Sequence, residues 1–274
     1  MSGRAKTSAS REPQTSGSVL SRPPLQEAIF EVRWPHRLDD ENQPLSGSTE
    51  FKILLARFFD RVTASEEFAD TEPLQPASLP DGVASGSVQY RWRSTLNPGV
   101  LLQIGPGVLT VNHVKPTEYH WELFFGQICW AIKSLRESHP KRAELSPKSV
   151  AFRYINSVRF DASAEETYTF LREKLHIDFR SPIGVLPPQV GTRAQNLKTQ
   201  TSFMCNSPCG RVTLVFANVY VPEERILWQI VFDALGEDIP SLSEGVETWL
   251  MSAHQVIDTT FRNMIRGEME AMFA

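Results

Sequence analysis

Val150-Ala151-Phe152-Arg153-Tyr154-Ile155-Asn156-Ser157-Val158-Arg159-Phe160 alternates in side-chain character along its length. On an extended chain Phe152, Tyr154 and Asn156 point one way, while Arg153 and Ile155 point the other. Such alternation predicts a half-buried strand. An earlier stretch, Ala28-Ile29-Phe30-Glu31-Val32-Arg33-Trp34, reads the same way and is closed by Pro35. Its Val32-Arg33-Trp34 lines up with Val158-Arg159-Phe160.

The elements after each strand run in the same order. After the first, Phe51, Leu54, Leu55, Phe58 and Val62 form the apolar stripe of a helix over 48–62. Residues 63–86 hold Pro73, Pro76, Pro80 and Asp81-Gly82 and read as a long loop. Strands follow at 87–95, 100–104 and 108–114, separated by the turns Asn97-Pro98-Gly99 and Gly105-Pro106-Gly107. A helix over 117–137 carries Trp121, Phe124, Phe125 and Ile128, and Pro140 ends it.

After the second strand, Ser163 and Glu166 have the spacing of a capping box and open a helix through Leu175. A Pro- and Gly-bearing loop over 177–197 leads to strands at 199–205, 210–221 and 225–235. Ser241 and Glu244 repeat the box and open the longest helix, whose wide apolar face runs from Val246 through Trp249, Leu250, Ala253 and Ile257 to Ile265. The fold class read from this order is α+β. A duplicated β-α-β-β-β-α unit is expected to make one curved antiparallel sheet of about eight strands, with helices packed on one face. The layout resembles TATA-binding-protein-like domains by analogy, which carries no function. The halves span 23–140 and 148–270, after a polar tail at 1–22 with too little apolar content to order itself.

Composition narrows the class. The 274 residues are 41% hydrophobic and 22% charged, with a net charge of -4. Those are globular values, and the slight acidity disfavours a dedicated nucleic-acid binder. No apolar run is long enough to span a membrane. Three cysteines, Cys129, Cys205 and Cys209, suit a reducing compartment, so the expected location is cytoplasmic.

Three stretches together resemble one family. They are Pro23-Pro24-Leu25-Gln26-Glu27-Ala28-Ile29-Phe30-Glu31-Val32-Arg33, then Tyr119-His120-Trp121-Glu122-Leu123-Phe124, and Phe152-Arg153-Tyr154-Ile155-Asn156. In order and spacing they are similar to motifs of the sporadically distributed bacterial proteins called the TIGR04255 family, over about 23–270 of this chain. Phe152 stands where that family often has Leu. The resemblance implies no activity, cofactor or catalytic residue. The patchy distribution of the family suits mobile or defence-associated operons.

Candidate chemistry is sparse. Arg153, Tyr154 and Asn156 are candidate binding residues, weighed against a purely structural role at the junction of the halves. Arg91 and Arg93 share a face opposite Tyr90 and Trp92, and with Arg33, Arg153 and Arg159 would give a basic stripe for a phosphate or carboxylate, or merely a solvated face. Cys205 and Cys209 flank a turn-forming Asn-Ser-Pro and lack the ligand pairs of a zinc site. His254 reads as a half-buried helix histidine. No catalytic motif, metal or cofactor is expected. The leading expectation is a non-enzymatic interaction or regulatory protein with a protein partner, homo-oligomerisation being left open. The alternatives are a hydrolase or nuclease without a recognisable motif, or nucleic-acid binding through the Arg-bearing sheet.

Overall fold

The computed structural model describes residues 20–35, 49–68, 70–74, 77, 86–116, 118–161, 166–179, 182–189, 197–220, 223–235 and 239–274. Among these residues nine strands form one antiparallel sheet. They are β1 (Leu25–Arg33), β2 (Asp70–Pro73), β3 (Tyr90–Arg93), β4 (Val100–Gly105), β5 (Val108–Val114), β6 (Ser149–Arg159), β7 (Lys198–Asn206), β8 (Cys209–Tyr220) and β9 (Glu224–Leu235). Their order across the sheet is β2-β3-β4-β5-β1-β6-β9-β8-β7. The helices are α1 (Thr49–Thr63), α2 (Trp121–Ser138), α3 (Thr167–Lys174), α4 (Val246–Ile265) and α5 (Glu268–Phe273).

One row of side chains shows why the sheet has a covered face. Trp92, Leu102, Val111, Phe30, Phe152 and Phe232 stand opposite one another from β3 through β9. All six are essentially without solvent exposure. The helices close over this row from one side. Phe58 of α1 meets Trp92 edge-on at 5.7 Å, Trp121 of α2 lies 5.4 Å from Phe152, and Trp249 of α4 meets Phe232 at 5.5 Å. Burying each such aromatic contributes roughly 1.5–3 kcal/mol. Trp121 opens α2, and Trp249 sits in the first turn of α4.

Several expectations need correction. The loop over 63–86 contains β2, an Asp-Thr-Glu-Pro strand without apolar alternation. It pairs only with β3 at the sheet edge, where polar residues and a proline are tolerated. Ser163 lies outside the described residues, and Glu166 itself caps α3 by accepting from the Thr169 amide at 2.9 Å. Before α4 the Ser241 hydroxyl pairs with Ser243, while left-handed Gly245 (φ 96°) starts the helix. The first amide of that helix donates to the Ser241 carbonyl at 3.2 Å. The turn expected between Cys205 and Cys209 is present, as a hairpin closed by the Asn206–Cys209 pair.

Order begins before Pro23. Leu20 packs against the core, the Ser21 hydroxyl donates to the Ala274 carbonyl, and the Arg22 amide donates to the Phe273 carbonyl at 3.0 Å. Residues 1–19 of the expected tail lie outside the described residues. Deleting them is expected to leave the melting temperature unchanged. A deletion reaching residue 24 also removes the tie to α5 and is expected to lower it by about 2–4 °C per kcal/mol lost. Differential scanning calorimetry of the two truncations checks this, and equal melting temperatures would contradict it.

Candidate binding cavity between strand β6 and helices α2 and α4

Strand β6 turns Tyr154 and Asn156 toward the helices, as its alternation requires, and leaves them 7% and 2% exposed. Across β1, Tyr154 faces Ala28 and Asn156 faces Leu25. The small Ala28 leaves room above the tyrosine. The segment entering α2 brings Tyr119 and Trp121 over that room. Helix α4 brings His254 and Asp258, one turn apart on one face. A cavity of about 670 Å³ remains among them, walled also by the chain at Pro23-Pro24-Leu25. That is a common size for a small-ligand site, and its mix of aromatic walls and few polar groups is common there too.

Three polar side chains form a relay through the wall. The Tyr119 and Tyr154 hydroxyls are 2.7 Å apart, and the Tyr154 hydroxyl is 2.9 Å from His254 Nδ1. His254 lies flat on Trp121, with ring centroids 3.9 Å apart and an 11° angle between planes. Burial pushes His254 down to about 4, so its ring is neutral near pH 7. Burial raises both phenols. With a neutral imidazole accepting at Nδ1, Tyr154 donates to His254 and accepts from Tyr119, which satisfies both hydroxyls and Nδ1.

Asn156 is different. Its Nδ2 is buried and has no hydrogen-bond partner among the described residues, although the residue borders the cavity. An unpaired amide N–H in such a place costs about 1–3 kcal/mol unless something meets it. The rim is acidic. Glu118, Glu122 and Asp258 face Arg262, whose Nε is held by Asp258 at 2.9 Å.

The five predicted binding residues do not gather in one place. Tyr154 and Asn156 line the cavity, while Arg153 points to the opposite, helix-free face of the sheet. Arg91 and Arg93 lie on β3 against Glu72 of β2, at 3.5 and 4.0 Å. Arg33 is taken by Glu31 at 2.7 Å and Arg159 by Glu223 at 2.9 Å. The stripe of arginines is therefore broken by carboxylates. Among the described residues no group of three or more His, Cys, Asp or Glu stands together as a metal site. Sequence reasoning missed Tyr119, Trp121, His254 and Asp258 as partners of Tyr154. The Tyr119-x-Trp121 pair and the four-residue spacing of His254 and Asp258 were visible, but nothing in the sequence placed them beside β6.

No family model and no curated protein matches the chain. Among solved structures, a rolling circle replication initiator protein from Geobacillus stearothermophilus aligns with a TM-score of 0.24 and 11% identity, over 87% of this chain and 79% of that one. A likeness at that level carries no argument about fold or function. No helix among the described residues is long and apolar enough to cross a membrane.

Proposed function

We propose that the protein is a non-enzymatic interaction or regulatory protein, and that it holds its partner or ligand in the cavity beside Asn156. The unpaired, buried Asn156 amide carries this reading. Its N–H asks for an acceptor such as a carbonyl oxygen. The rim, with three carboxylates and one guanidinium, favours an occupant that also bears positive charge. Binding is favoured over catalysis because the three relay groups titrate far from neutrality. General acid–base work is most effective when the pKa lies near the operating pH. A protein segment from a partner in the same bacterial operon fits the family resemblance, and a cytoplasmic location goes with it.

The duplication belongs to the same proposal. Read outward from the central β1–β6 pair, the sheet runs β5, β4, β3 on one side and β9, β8, β7 on the other. That order, with Trp121 and Trp249 near the starts of α2 and α4, supports halves at 23–140 and 148–270 related by a pseudo-two-fold axis. It also puts the cavity where the halves meet.

Asn156→Ala tests the site. No hydrogen bond to Nδ2 is lost, and relief of the unpaired N–H offsets the packing lost with the side chain, so stability is expected to fall by no more than about 0.5 kcal/mol. Recovery of bound material from the native host should fall. Urea unfolding and pull-down on the same preparation report both. A large stability loss with undiminished recovery would make Asn156 a structural residue and remove the site.

A further inference from the structure

The helix-free face of the sheet carries one arginine whose surroundings are unlike those of its neighbours. Arg153 stands between Ile29 on β1 and Val231 on β9, both apolar. Three carboxylates lie in the adjoining rows, and each is engaged elsewhere. Glu31 accepts from Arg33 at 2.7 and 3.2 Å. Glu27 accepts from Asn112 at 2.7 Å. Asp233 is bound by Arg211 at 2.8 and 3.3 Å. Arg153 makes no ion pair among the described residues, and its Nε is buried without a partner. A guanidinium left in this way loses hydration at Nε and regains nothing.

A depression of about 390 Å³ opens beside it, lined among others by Glu31, Arg33, Gln103, Thr110 and Asn112. Its charges are one carboxylate, Glu31, against two guanidiniums, Arg33 and Arg153, so the lining is net positive by one. Its polar groups are held in place. Gln103 Nε2 donates to Thr110 Oγ1 and to Asn112 Oδ1, both at 3.1 Å, and Arg91 Nε donates to Gln103 Oε1 at 3.2 Å. Thr110 thus accepts a hydrogen bond and keeps its own hydroxyl proton to give. A guanidinium with no ion pair, beside one hydroxyl whose proton is free to give, is what an oxyanion needs.

We infer that this depression is a second binding site, for a small ligand carrying a single oxyanion group, carboxylate or phosphate, held by Arg153 with Thr110 as a second donor. It lies across the sheet from the cavity at Asn156, and its existence does not depend on that cavity being occupied.

The test uses the full chain labelled with nitrogen-15, with the Nε–H resonance of Arg153 assigned by its loss in Arg153→Gln. Inorganic phosphate and acetate are titrated separately at constant ionic strength. The Arg153 resonance is expected to shift saturably with at least one of them, and which one separates a phosphate-bearing from a carboxylate-bearing ligand. Arg33 and Arg211 should move little. Binding followed through backbone amides of β5 should be at least about tenfold weaker in Arg153→Gln and partly kept in Arg153→Lys, which retains charge without the fork. Two results overturn the inference: no saturable shift up to about 100 mM of either anion, a range in which even feeble sites register, or equal affinity in wild type and Arg153→Gln. Unchanged amide spectra elsewhere show that the Gln variant is folded.

Discussion

Tyr154→Phe is expected to lose about 2–6 kcal/mol of stability, because one deletion strands two largely buried groups at about 1–3 kcal/mol each. The Tyr154 hydroxyl is the middle of the relay, 2.7 Å from the Tyr119 oxygen and 2.9 Å from His254 Nδ1. The phenylalanine ring keeps the packing against Phe152, whose ring centroid lies 5.0 Å away, so the loss reports the hydrogen bonds and not a cavity. Urea unfolding at pH 7 measures it. Comparison with Asn156→Ala, two residues along the same face, is the informative one. The tyrosine is wired into the protein and the asparagine is not. A loss below about 0.5 kcal/mol for Tyr154→Phe would mean that water replaces the hydroxyl without penalty.

Acid is expected to destabilise the protein through His254. Its pKa is lowered from 6.5 to about 4 by burial. Between those values the unfolded chain takes up a proton that the folded chain does not. The contribution of His254 is therefore complete above about pH 6.5, falls as the pH drops through 6 and 5, and is gone near 4. At about 1.4 kcal/mol per pKa unit the full loss is roughly 3 kcal/mol. His113 and His139 are also lowered by burial and titrate in the same sense, so the wild-type profile alone does not isolate His254. His254→Gln removes the titration while its side-chain oxygen can still accept from Tyr154. The difference in unfolding free energy between wild type and variant should shrink or reverse from pH 7 to pH 4.5. Parallel profiles over that range would show that His254 does not titrate this way. At the other end, the raised phenols of Tyr119 and Tyr154 hold protons that the unfolded chain releases, so stability should also fall above about pH 10.

The sheet was legible because its strands alternate. The faces of β6 follow from period two alone, and the buried row through Phe30, Phe152 and Phe232 is the same pattern read across β1, β6 and β9. The edge strand β2 was not legible, since Asp70–Pro73 has one side against β3 and no apolar face to bury. Helices start later than capping-box spacing suggests. Capping-box spacing at Ser241 and Glu244 is matched by residues that bond among themselves, and the left-handed Gly245 decides where α4 starts. Half of the candidate site was visible as Tyr154 and Asn156. The other half came from α2 and α4, and only tertiary packing sets Trp121 on His254. The basic stripe illustrates the reverse limit. Sequence places Arg91, Arg93, Arg33 and Arg153 on strands, but it does not say that Arg91 and Arg93 share Glu72, that Arg33 pairs with Glu31, and that Arg153 has no ion pair among the described residues.

The measurement that bears most directly on the cavity is a crystal structure of the chain purified from its native host without refolding. The expected result is density for a bound group in the space between Trp121, His254 and Leu25, with an acceptor atom about 2.9 Å from Asn156 Nδ2. A cavity holding only water, or an Asn156 amide paired with another side chain of the protein itself, would contradict the reading of this place as a binding site.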